Sequence, residues 1–276
     1  MGIEALVDLL RVRRVAVLTG AGVSTESGIP DYRSPEAQRR PRRPIHGPEF
    51  VRSEALRRRY WARAMAGWEH FRRARPGPAH HALAELEHAG AVRGLITQNV
   101  DRLHHSAGSR DVTELHGALA EVVCLDCGAL EGRDALQARM RDANPGWLDG
   151  PAPIAPDGDA DLTEELVAAF VVPACIACDG RLKPRVVFFG ENVARPVVDE
   201  AFAKVDAADA LLVAGTSLAV YSGYRFLLRA AGRGIPIAIV NRGEVRGEDR
   251  AAVKVEGSTG DVLAAVTRSL VPAPET

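Results

Sequence analysis

The sequence predicts an α/β fold in which helices cover both faces of a parallel β-sheet. Short apolar runs typical of buried strands recur at residues 15–19, 92–97, 186–189, 210–214 and 235–240. Helical patterns separate several of these runs, with candidates at 79–89, 197–207 and 224–231. Apolar strands that alternate with helices are typical of a parallel sheet buried on both faces. Glycines and polar residues follow most of the runs, and right-handed crossovers bring such strand ends to one edge of the sheet, where ligands usually bind.

The length and composition narrow the class of protein. The chain has 276 residues, of which 46% are hydrophobic, and this is enough to bury a substantial core. The formal net charge of -1 argues against a general nucleic-acid-binding protein. We see no apolar run of about 18 residues that could span a membrane, and the N-terminus enters the first predicted strand almost at once, without the layout of a signal peptide. We therefore expect a cytoplasmic protein whose partners are neither membranes nor a specific nucleic acid. Its oligomeric state stays open.

Two segments interrupt the alternation within one domain that spans 1–276. The first, 36–78, is predicted to be an inserted helical lobe. Its apolar side is supplied by Tyr60, Trp61, Trp68 and Phe71. Residues 33–75 include 13 arginines and only four acidic residues, which either form a solvated helix face or attract an anionic ligand. The second segment, 121–182, lies around the cysteines and has the prolines and aspartates of a long loop.

All four cysteines fall into two pairs, Cys124 with Cys127 and Cys175 with Cys178. A two-residue gap lets one turn present both thiolates to the same ion, and two such turns complete a tetrahedral zinc site. A redox dithiol is the alternative, but two complete pairs favour the metal. The 47 residues between the pairs exceed the usual zinc-ribbon spacing, so we expect a smaller zinc-ribbon module with an inserted loop. Four thiolates leave no position for water, so the zinc is expected to be structural and to contribute on the order of 10 kcal/mol to folding.

The segment 20–33, GAGVSTESGIPDYR, directly follows the first apolar run. Closely spaced glycines after a strand let the backbone approach a pyrophosphate at a helix start. Gly20 and Gly22 alone are weak evidence, because Thr25 stands where the dinucleotide-binding fingerprint has a third glycine. The loop then adds more polar and aromatic groups than a structural turn needs, namely Ser24, Glu26, Asp31, Tyr32 and Arg33. The segment therefore favours a nucleotide ligand on a Rossmann-like sheet.

Further polar residues follow the other predicted strands. Gln98, Asn99 and Asp101 come directly after the run 92–97, although Asp101 could instead cap the next helix. His116 lies between Leu115 and a glycine at an expected strand end, where a neutral imidazole could accept a hydroxyl proton; a packed or solvated histidine is the alternative. Residues 187–191 (VFFGE) and 215–220 (GTSLAV) each close a predicted strand, and Asn241 follows the next strand in the same way. The segment 215–220 supplies small and hydroxyl residues suited to phosphate or ribose, although these strand ends could also be ordinary turns.

Together these motifs resemble the sirtuin family, the NAD-dependent protein-lysine deacylases. The matching segments are GAGVSTESGIPDYRS, TQNVDRLH, ELHG, the two cysteine pairs, VVFFGE, GTSLAVYS and the asparagine of IVNRG, in family order over nearly the whole chain. The tyrosine of PDYRS, the YWAR segment and the APDGD loop resemble the class II branch, whose animal members are mitochondrial.

The resemblance implies NAD and zinc as cofactors. It implies that the phosphates of NAD lie near residues 20–22, the adenosine half near 215–217 and Asn241, and the adenine near Thr259. It implies a nicotinamide pocket built from Ser24, Asn99 and Asp101. The full set of implied NAD contacts is Gly20, Ala21, Gly22, Ser24, Thr25, Glu26, Ile29, Pro30, Asp31, Tyr32, Arg33, Gln98, Asn99, Val100, Asp101, Gly215, Thr216, Ser217, Asn241, Arg242, Gly243 and Thr259.

The resemblance also implies a reaction. The acyl oxygen of an acylated lysine attacks the ribose carbon as nicotinamide leaves, and His116 then removes a ribose hydroxyl proton, with Asn99 and Asp101 as the other catalytic residues. The products are free lysine, nicotinamide and O-acyl-ADP-ribose. The substrate protein is expected to add an extra strand between 187–191 and 215–220. The implied substrate contacts are Tyr60, Arg63, Val187, Phe188, Phe189, Gly190, Glu191, Leu218 and Val220.

Departures from the family pattern concern the acyl group. Tyr32 replaces the usual phenylalanine, and Tyr221-Ser222-Gly223 stands where many deacetylases carry a proline. Tyr60 and Arg63 lie three apart, on one helix face, and are similar to a pair that holds the distal carboxylate of acidic acyl-lysines. A solvated arginine is the alternative, and branched acids or lipoyl stay open.

Three other functions are alternatives to protein deacylation. ADP-ribosyl transfer to proteins is compatible with the same motifs. A non-catalytic NAD sensor would tolerate loss of His116 or Asn99, yet both are present. A zinc-ribbon nucleic-acid binder would need basic residues around the cysteines, where Asp126, Glu131 and Asp179 lie instead.

Overall fold

The computed structural model describes residues 2–31, 44–147 and 162–271. The chain forms two compact units. The first comprises Met1–Gly28, Arg75–His116 and Val193–Thr276, and the second comprises Ile29–Ala74 and Gly117–Asn192. The second unit contains most of the two segments predicted as insertions, whose boundaries as separate modules, 36–78 and 121–182, stay a prediction.

The helices and strands of both units are numbered in chain order. The α-helices of the described residues are α1 Gly2–Arg11, α2 Gly47–Arg52, α3 Glu54–Arg73, α4 Pro78–His88, α5 Leu103–Ser106, α6 Arg133–Ala143, α7 Glu164–Ala169, α8 Arg195–Ala207, α9 Tyr221–Gly232 and α10 Thr259–Leu270. The strands are β1 Val15–Thr19, β2 Val92–Thr97, β3 Val112–Glu114, β4 Gly117–Cys124, β5 Leu130–Gly132, β6 Leu182–Val186, β7 Ala210–Ala214, β8 Ile237–Asn241 and β9 Val253–Glu256.

The first unit is built on a parallel sheet with the strand order β3-β2-β1-β7-β8-β9. Side chains along β1 alternate between its two faces. Val15 and Val17 join a core with residues of α1, α4 and α10, whereas Ala16 and Leu18 join a second core with residues of α8 and α9. All five residues of β1 are buried, as expected for a central strand that is covered on both faces. The predicted α/β class is confirmed.

Three of the predicted strands have the observed bounds, and two parts of the prediction were wrong. The run 186–189 is not a strand of the parallel sheet. Its first residue ends β6, and Phe188 instead packs on Phe50 and Tyr60. The chain leaves the strand here because Gly190 has a φ of 77° and the Glu191 carboxylate accepts the N–H of Phe188.

The expectation that the N-terminus enters the first strand almost at once was also wrong. The N-terminal residues form α1 before this strand, since Leu6, Val7, Leu9 and Leu10 cover the sheet.

The second unit has its own sheet and core. Its antiparallel sheet has the order β5-β4-β6, and Trp61 of α3 is fully buried beside it, with its indole N–H donating to Leu182 O at 3.1 Å. The guanidinium of Arg133 lies 5.7 Å from the ring centroid of Trp61 and 4.6 Å from that of Trp68. Burial lowers the pKa of Arg133 to about 10, so this cation stays charged and joins α6 to α3.

Within residues 2–31, 44–147 and 162–271, no helix combines the length and the apolar character that crossing a bilayer requires.

Candidate active site

The first unit gathers the predicted polar segments at the carboxyl edge of its parallel sheet. The registers align the last residue of β1, Thr19, with Thr97 of β2 and Ala214 of β7. The segments that begin at Gly20, Gln98 and Gly215 therefore leave the sheet side by side. This edge is where an open parallel sheet binds its ligands.

The glycines after β1 serve close packing of two loops. A Cβ on Gly20 would lie 2.6 Å from Thr216 Cβ, and a Cβ on Gly22 would lie 2.8 Å from Gly215 O. Gly215 itself has a φ of 60°. The N–H of Gly22 donates to Gly215 O at 2.8 Å, so it is occupied by the partner loop. In this structure the two glycines approach the loop after β7, and their approach to a pyrophosphate stays a prediction.

Ser24 is the centre of a buried polar network. Its side chain is 1% exposed, and its hydroxyl donates to Asp101 Oδ2 at 2.7 Å. Asn99 Nδ2 donates to Ser24 Oγ at 2.9 Å and to Gly20 O at 3.1 Å. The other carboxylate oxygen of Asp101 accepts the N–H of Leu103 at 2.9 Å. Asp101 therefore accepts the first N–H of α5, close to the capping role of the alternative interpretation, and also accepts the hydroxyl of Ser24, its partner in the predicted nicotinamide pocket.

Two buried histidines that the sequence motifs did not single out complete this network. Gly77 N–H donates to His80 Nδ1 at 3.1 Å, which leaves the hydrogen on Nε2, 3.4 Å from Ser24 Oγ. His104 Nε2 lies 3.0 Å from Thr19 Oγ1. Burial lowers the pKa of His80 to about 4 and that of His104 well below its ordinary value, so both rings are neutral near pH 7. His80 precedes Leu83 and Ala84 by three and four positions on α4, and a histidine in line with these apolar residues is the signal that could have identified it.

His116 has a partner on each ring nitrogen. Nδ1 lies 2.9 Å from Gln98 O, and Nε2 lies 2.8 Å from Ser222 Oγ. Burial is the main cause that lowers the pKa of His116, and the charge of Arg225 acts in the same direction. The ring is therefore neutral near pH 7 and has the protonation state that a base requires.

The loops expected at the adenosine half are ordered by their own side chains. Asn241 Nδ2 donates to Arg242 O at 2.8 Å and to Gly243 O at 3.3 Å, which fixes the turn after β8. Glu26 accepts the hydroxyl of Ser258, the N-cap of α10, and the next residue, Thr259, is buried. Ser217 O accepts the N–H of Arg246 at 2.9 Å.

The remaining predicted NAD contacts fall into three groups. Ala21, Thr25 and Val100 lie in the first unit, on the loops already described. Ile29, Pro30 and Asp31 belong to the second unit and are half-buried. Tyr32 and Arg33 lie outside the described residues, as do the residues of the APDGD loop. The roles of all these residues in binding stay predictions.

Most predicted substrate contacts lie in the second unit. Tyr60 packs edge-on against Phe188, with ring centroids 5.6 Å apart, and Arg63 follows on α3, half-buried. Lys183 Nζ lies 3.0 Å from Glu191 Oε2 and 4.5 Å from the Phe188 ring centroid, so it holds the 187–191 loop. Phe189 O accepts the N–H of Gly47, so part of this loop already has a backbone partner.

Two predicted substrate contacts lie in the first unit, after β7. Val220 is 44% exposed. Leu218 is fully buried in the core between the sheet and α9 and has a φ of 53°. Its side chain supports the loop, and any contact that it makes with substrate stays a prediction.

The four cysteines of the second unit form one cluster. Their Sγ atoms all lie within 4.8 Å of one another, with Cys124 and Cys178 at 3.6 Å and Cys127 and Cys175 at 3.8 Å. A tetrahedral ion with Zn–S bonds of about 2.3 Å requires Sγ separations of about 3.8 Å, so the cluster fits zinc. Two backbone N–H groups, those of Cys127 and Asp126, lower the pKa of the Cys124 thiol to about 7. The spacing prediction for all four ligands is thus consistent with the structure.

Comparison with known proteins identifies the family. Residues 20–222 match the model of the Sir2 family. A Mycobacterium avium protein named NAD-dependent protein deacetylase 1 is 50% identical over 274 residues, which cover 98% of this chain and 96% of that protein. The human mitochondrial NAD-dependent protein lipoamidase sirtuin-4 is 51% identical over 254 residues, which cover 91% of this chain and 81% of that protein. A solved structure described as "Sir2-p53 peptide-NAD+" superposes with a TM-score of 0.77 at 30% identity and covers 98% of both chains. The chain belongs to the Sir2 family.

Proposed function

We propose that the protein is an NAD-dependent protein-lysine deacylase, which releases nicotinamide and O-acyl-ADP-ribose. The observation that carries the proposal is the convergence of Ser24, Asn99, Asp101 and His116 at the carboxyl edge of one parallel sheet. A buried hydroxyl, an amide and a carboxylate suit a carboxamide ligand, and a neutral histidine suits removal of a hydroxyl proton. The names of the M. avium and human relatives support the same activity.

NAD is the cofactor that the site residues would hold. When bound, it supplies a ribose carbon from which nicotinamide departs as the acyl oxygen of lysine attacks. The Ser24, Asn99 and Asp101 network would orient the nicotinamide carboxamide, because it presents both donors and acceptors in a buried setting. The turns at Gly215 and Asn241 would receive the adenosine half.

Zinc would be held by Cys124, Cys127, Cys175 and Cys178 and would have a structural role. Four thiolates complete a tetrahedral shell and leave no position for water or substrate. The ion would join the turn after β4 to the turn before β6, and thereby hold the sheet on which the 187–191 loop depends. The proton chemistry belongs to His116.

The finer substrate assignment is an acyl-lysine whose acyl chain ends in a carboxylate. Tyr60 and Arg63 lie on α3, and the Tyr60 ring contacts Phe188 of the loop expected beside the peptide. An arginine fork with a nearby phenol suits a carboxylate better than a neutral methyl group. The substrate protein is expected to contribute an extended segment whose main chain pairs with the 187–191 and 215–220 segments.

The test is to incubate the purified protein with NAD and a panel of acyl-lysine peptides while following nicotinamide release and peptide mass. The panel includes acetyl, succinyl, glutaryl, methylglutaryl and lipoyl peptides. Loss of the acyl group, with one nicotinamide for each lysine freed, supports deacylation. Mass gain on a protein substrate, with no loss of the acyl group from any peptide, would instead show ADP-ribosyl transfer. Binding of NAD without nicotinamide release would contradict both.

A further inference from the structure

Ser222 occupies the nitrogen through which His116 is expected to act. Its hydroxyl oxygen lies 2.8 Å from His116 Nε2, and both residues belong to the first unit. A serine hydroxyl is thus bound to the nitrogen of the proposed base that must receive a proton.

The partner of the other ring nitrogen determines the direction of this hydrogen bond. Nδ1 lies 2.9 Å from the carbonyl oxygen of Gln98, which can only accept, so Nδ1 carries the hydrogen. In the neutral ring, Nε2 then has a lone pair and no hydrogen. The Ser222 hydroxyl is the donor, and it fills the only lone pair that His116 offers to a substrate proton.

Packing at the start of α9 holds the hydroxyl in place. Ser222 is the second residue of this helix, and a Cβ on the next residue, Gly223, would lie 2.4 Å from Gln98 Oε1. The Gln98 amide is itself fixed, since its Nε2 donates to Thr216 Oγ1 at 3.0 Å and to Thr19 O at 3.2 Å. The glycine thus lets α9 approach the end of β2 closely enough for serine to reach the ring that Gln98 O also binds.

We propose that Ser222 is a proton relay between the ribose hydroxyl of NAD and His116. The inference rests on the proposed function. Ser222 Oγ would accept the proton from the ribose hydroxyl as the original Ser222 proton moves to His116 Nε2. The electron pair left on the ribose oxygen would form the bond to the former acyl carbon, and the π pair between that carbon and the lysine nitrogen would move to the nitrogen. Serine ends unchanged, and the imidazolium formed keeps its hydrogen bond from Nδ1 to Gln98 O.

The position of Ser222 suits this step. The N-terminus of a twelve-residue helix favours negative charge, and partial negative charge develops on Ser222 Oγ while both protons are in transit. A hydroxyl both donates and accepts, so it can pass one proton while it takes another.

The first experiment compares Ser222→Ala and Ser222→Thr with wild type. Ser222→Ala is expected to lower kcat for deacylation about tenfold or more, whereas Ser222→Thr, which retains a hydroxyl, recovers most of it. Release of nicotinamide precedes the proton transfer, so exchange of labelled nicotinamide into NAD should stay within about threefold of wild type. Tyr221→Phe, which removes an exposed hydroxyl from the neighbouring residue, is the control.

Two measurements separate a relay from a merely structural role. In mixtures of H2O and D2O, two protons in transit give a curved dependence of kcat on deuterium content, which should become linear in Ser222→Ala. In the NAD-free protein, the His116 Nε2 resonance in a ¹⁵N NMR spectrum should shift in Ser222→Ala while Nδ1 keeps its hydrogen.

Three results would overturn the relay. One is a kcat for Ser222→Ala equal to or above that of wild type, which would mean that serine only blocks the base. Another is a linear dependence of kcat on deuterium content in wild type. The third is a His116 Nε2 resonance that does not shift in Ser222→Ala. A wild-type protein that lacks deacylation altogether contradicts the proposed function instead, and the NMR measurement still tests the Ser222 contact in that case.

Discussion

The rings of His80 and His104 lie with their centroids 4.7 Å apart, beneath the serine and threonine hydroxyls at the carboxyl ends of the sheet. Each ring directs Nε2 toward a hydroxyl, His80 toward Ser24 and His104 toward Thr19. Both side chains are buried, so neither ring can be charged without loss of solvation. The pocket expected to hold nicotinamide is therefore packed against two histidines that must remain neutral.

This arrangement predicts that acid destabilises the protein. The pKa of His80 is about 4 in the folded state and about 6.5 when the chain unfolds, so the unfolded chain binds more protons between these values. The free energy of unfolding should fall as the pH drops through that window, and His80 should account for on the order of 2 kcal/mol at pH 5. Urea unfolding of wild type and His80→Gln at pH 7 and pH 5 measures this, with the exposed neighbour His81→Gln as control. Equal losses of stability in wild type and His80→Gln would contradict the assignment.

The parallel sheet and its polar edge could be predicted because they depend on local sequence. Residues 15–18 and 210–214 are apolar throughout, and a glycine and polar residues follow within a few positions. The run 186–189 shows the limit of this reasoning. Apolar residues are required equally by a strand and by an aromatic core, and the contact of Phe188 with Tyr60, 128 positions earlier, decided the outcome.

The site residues that belong to local sequence motifs could be predicted. Those that are defined by a tertiary contact could not. The positions of Ser24, Asn99 and Asp101 follow from segments that leave adjacent strands. The contact of His116 with Ser222 spans 106 positions and depends on the close approach that Gly223 allows, which no local pattern specifies. His80 was missed for the same reason, since its partner Ser24 lies 56 positions away.

Replacement of His116 should separate cofactor binding from turnover. We expect His116→Ala to lower deacylation by roughly 10²- to 10⁴-fold, because the base acts after NAD is seated. Its affinity for NAD should change little, since the Ser24 network does not include this ring. Isothermal titration with NAD and single-turnover deacylation measure the two quantities. Near-normal turnover by the variant would exclude His116 as the base.

The pH dependence of deacylation should report the neutral state of the same ring. Burial lowers the pKa of His116 below 6.5, so the acidic limb of kcat/KM should lie below that pH. The charge of Arg225 contributes to the lowering, so Arg225→Gln should shift the limb to higher pH. Arg229→Gln, one turn later on α9, is the matched control because this arginine pairs with Asp206. A limb that stays in place in Arg225→Gln would mean that Arg225 does not act on the base.

Zinc should support folding and leave the chemistry to other residues. We expect one zinc per chain, and we expect Cys175→Ala to lower the yield of folded protein far more than the kcat of the fraction that folds. Ile176→Ala is the control, since this residue lies in the same turn with 76% of its surface exposed. Metal analysis measures zinc content, and active-site titration normalises kcat. A zinc-free protein with wild-type stability, or a disulfide in reducing buffer, would exclude the zinc site.

Arg63 should select the acyl group that the protein removes. Arg63 follows Tyr60 by three positions on α3, and residues at this spacing lie on the same helix face. If the guanidinium binds a carboxylate at the end of the acyl chain, wild type should prefer succinyl- or glutaryl-lysine peptides to acetyl-lysine peptides. Arg63→Met keeps an unbranched stem and removes the guanidinium charge, so it should lower kcat/KM for the acidic acyl groups by about tenfold or more while acetyl-lysine changes little. Arg59→Met, one turn earlier and exposed, should alter neither substrate. A wild-type preference for acetyl or lipoyl peptides, or an equal loss for every substrate in Arg63→Met, would show that Arg63 does not select the acyl group.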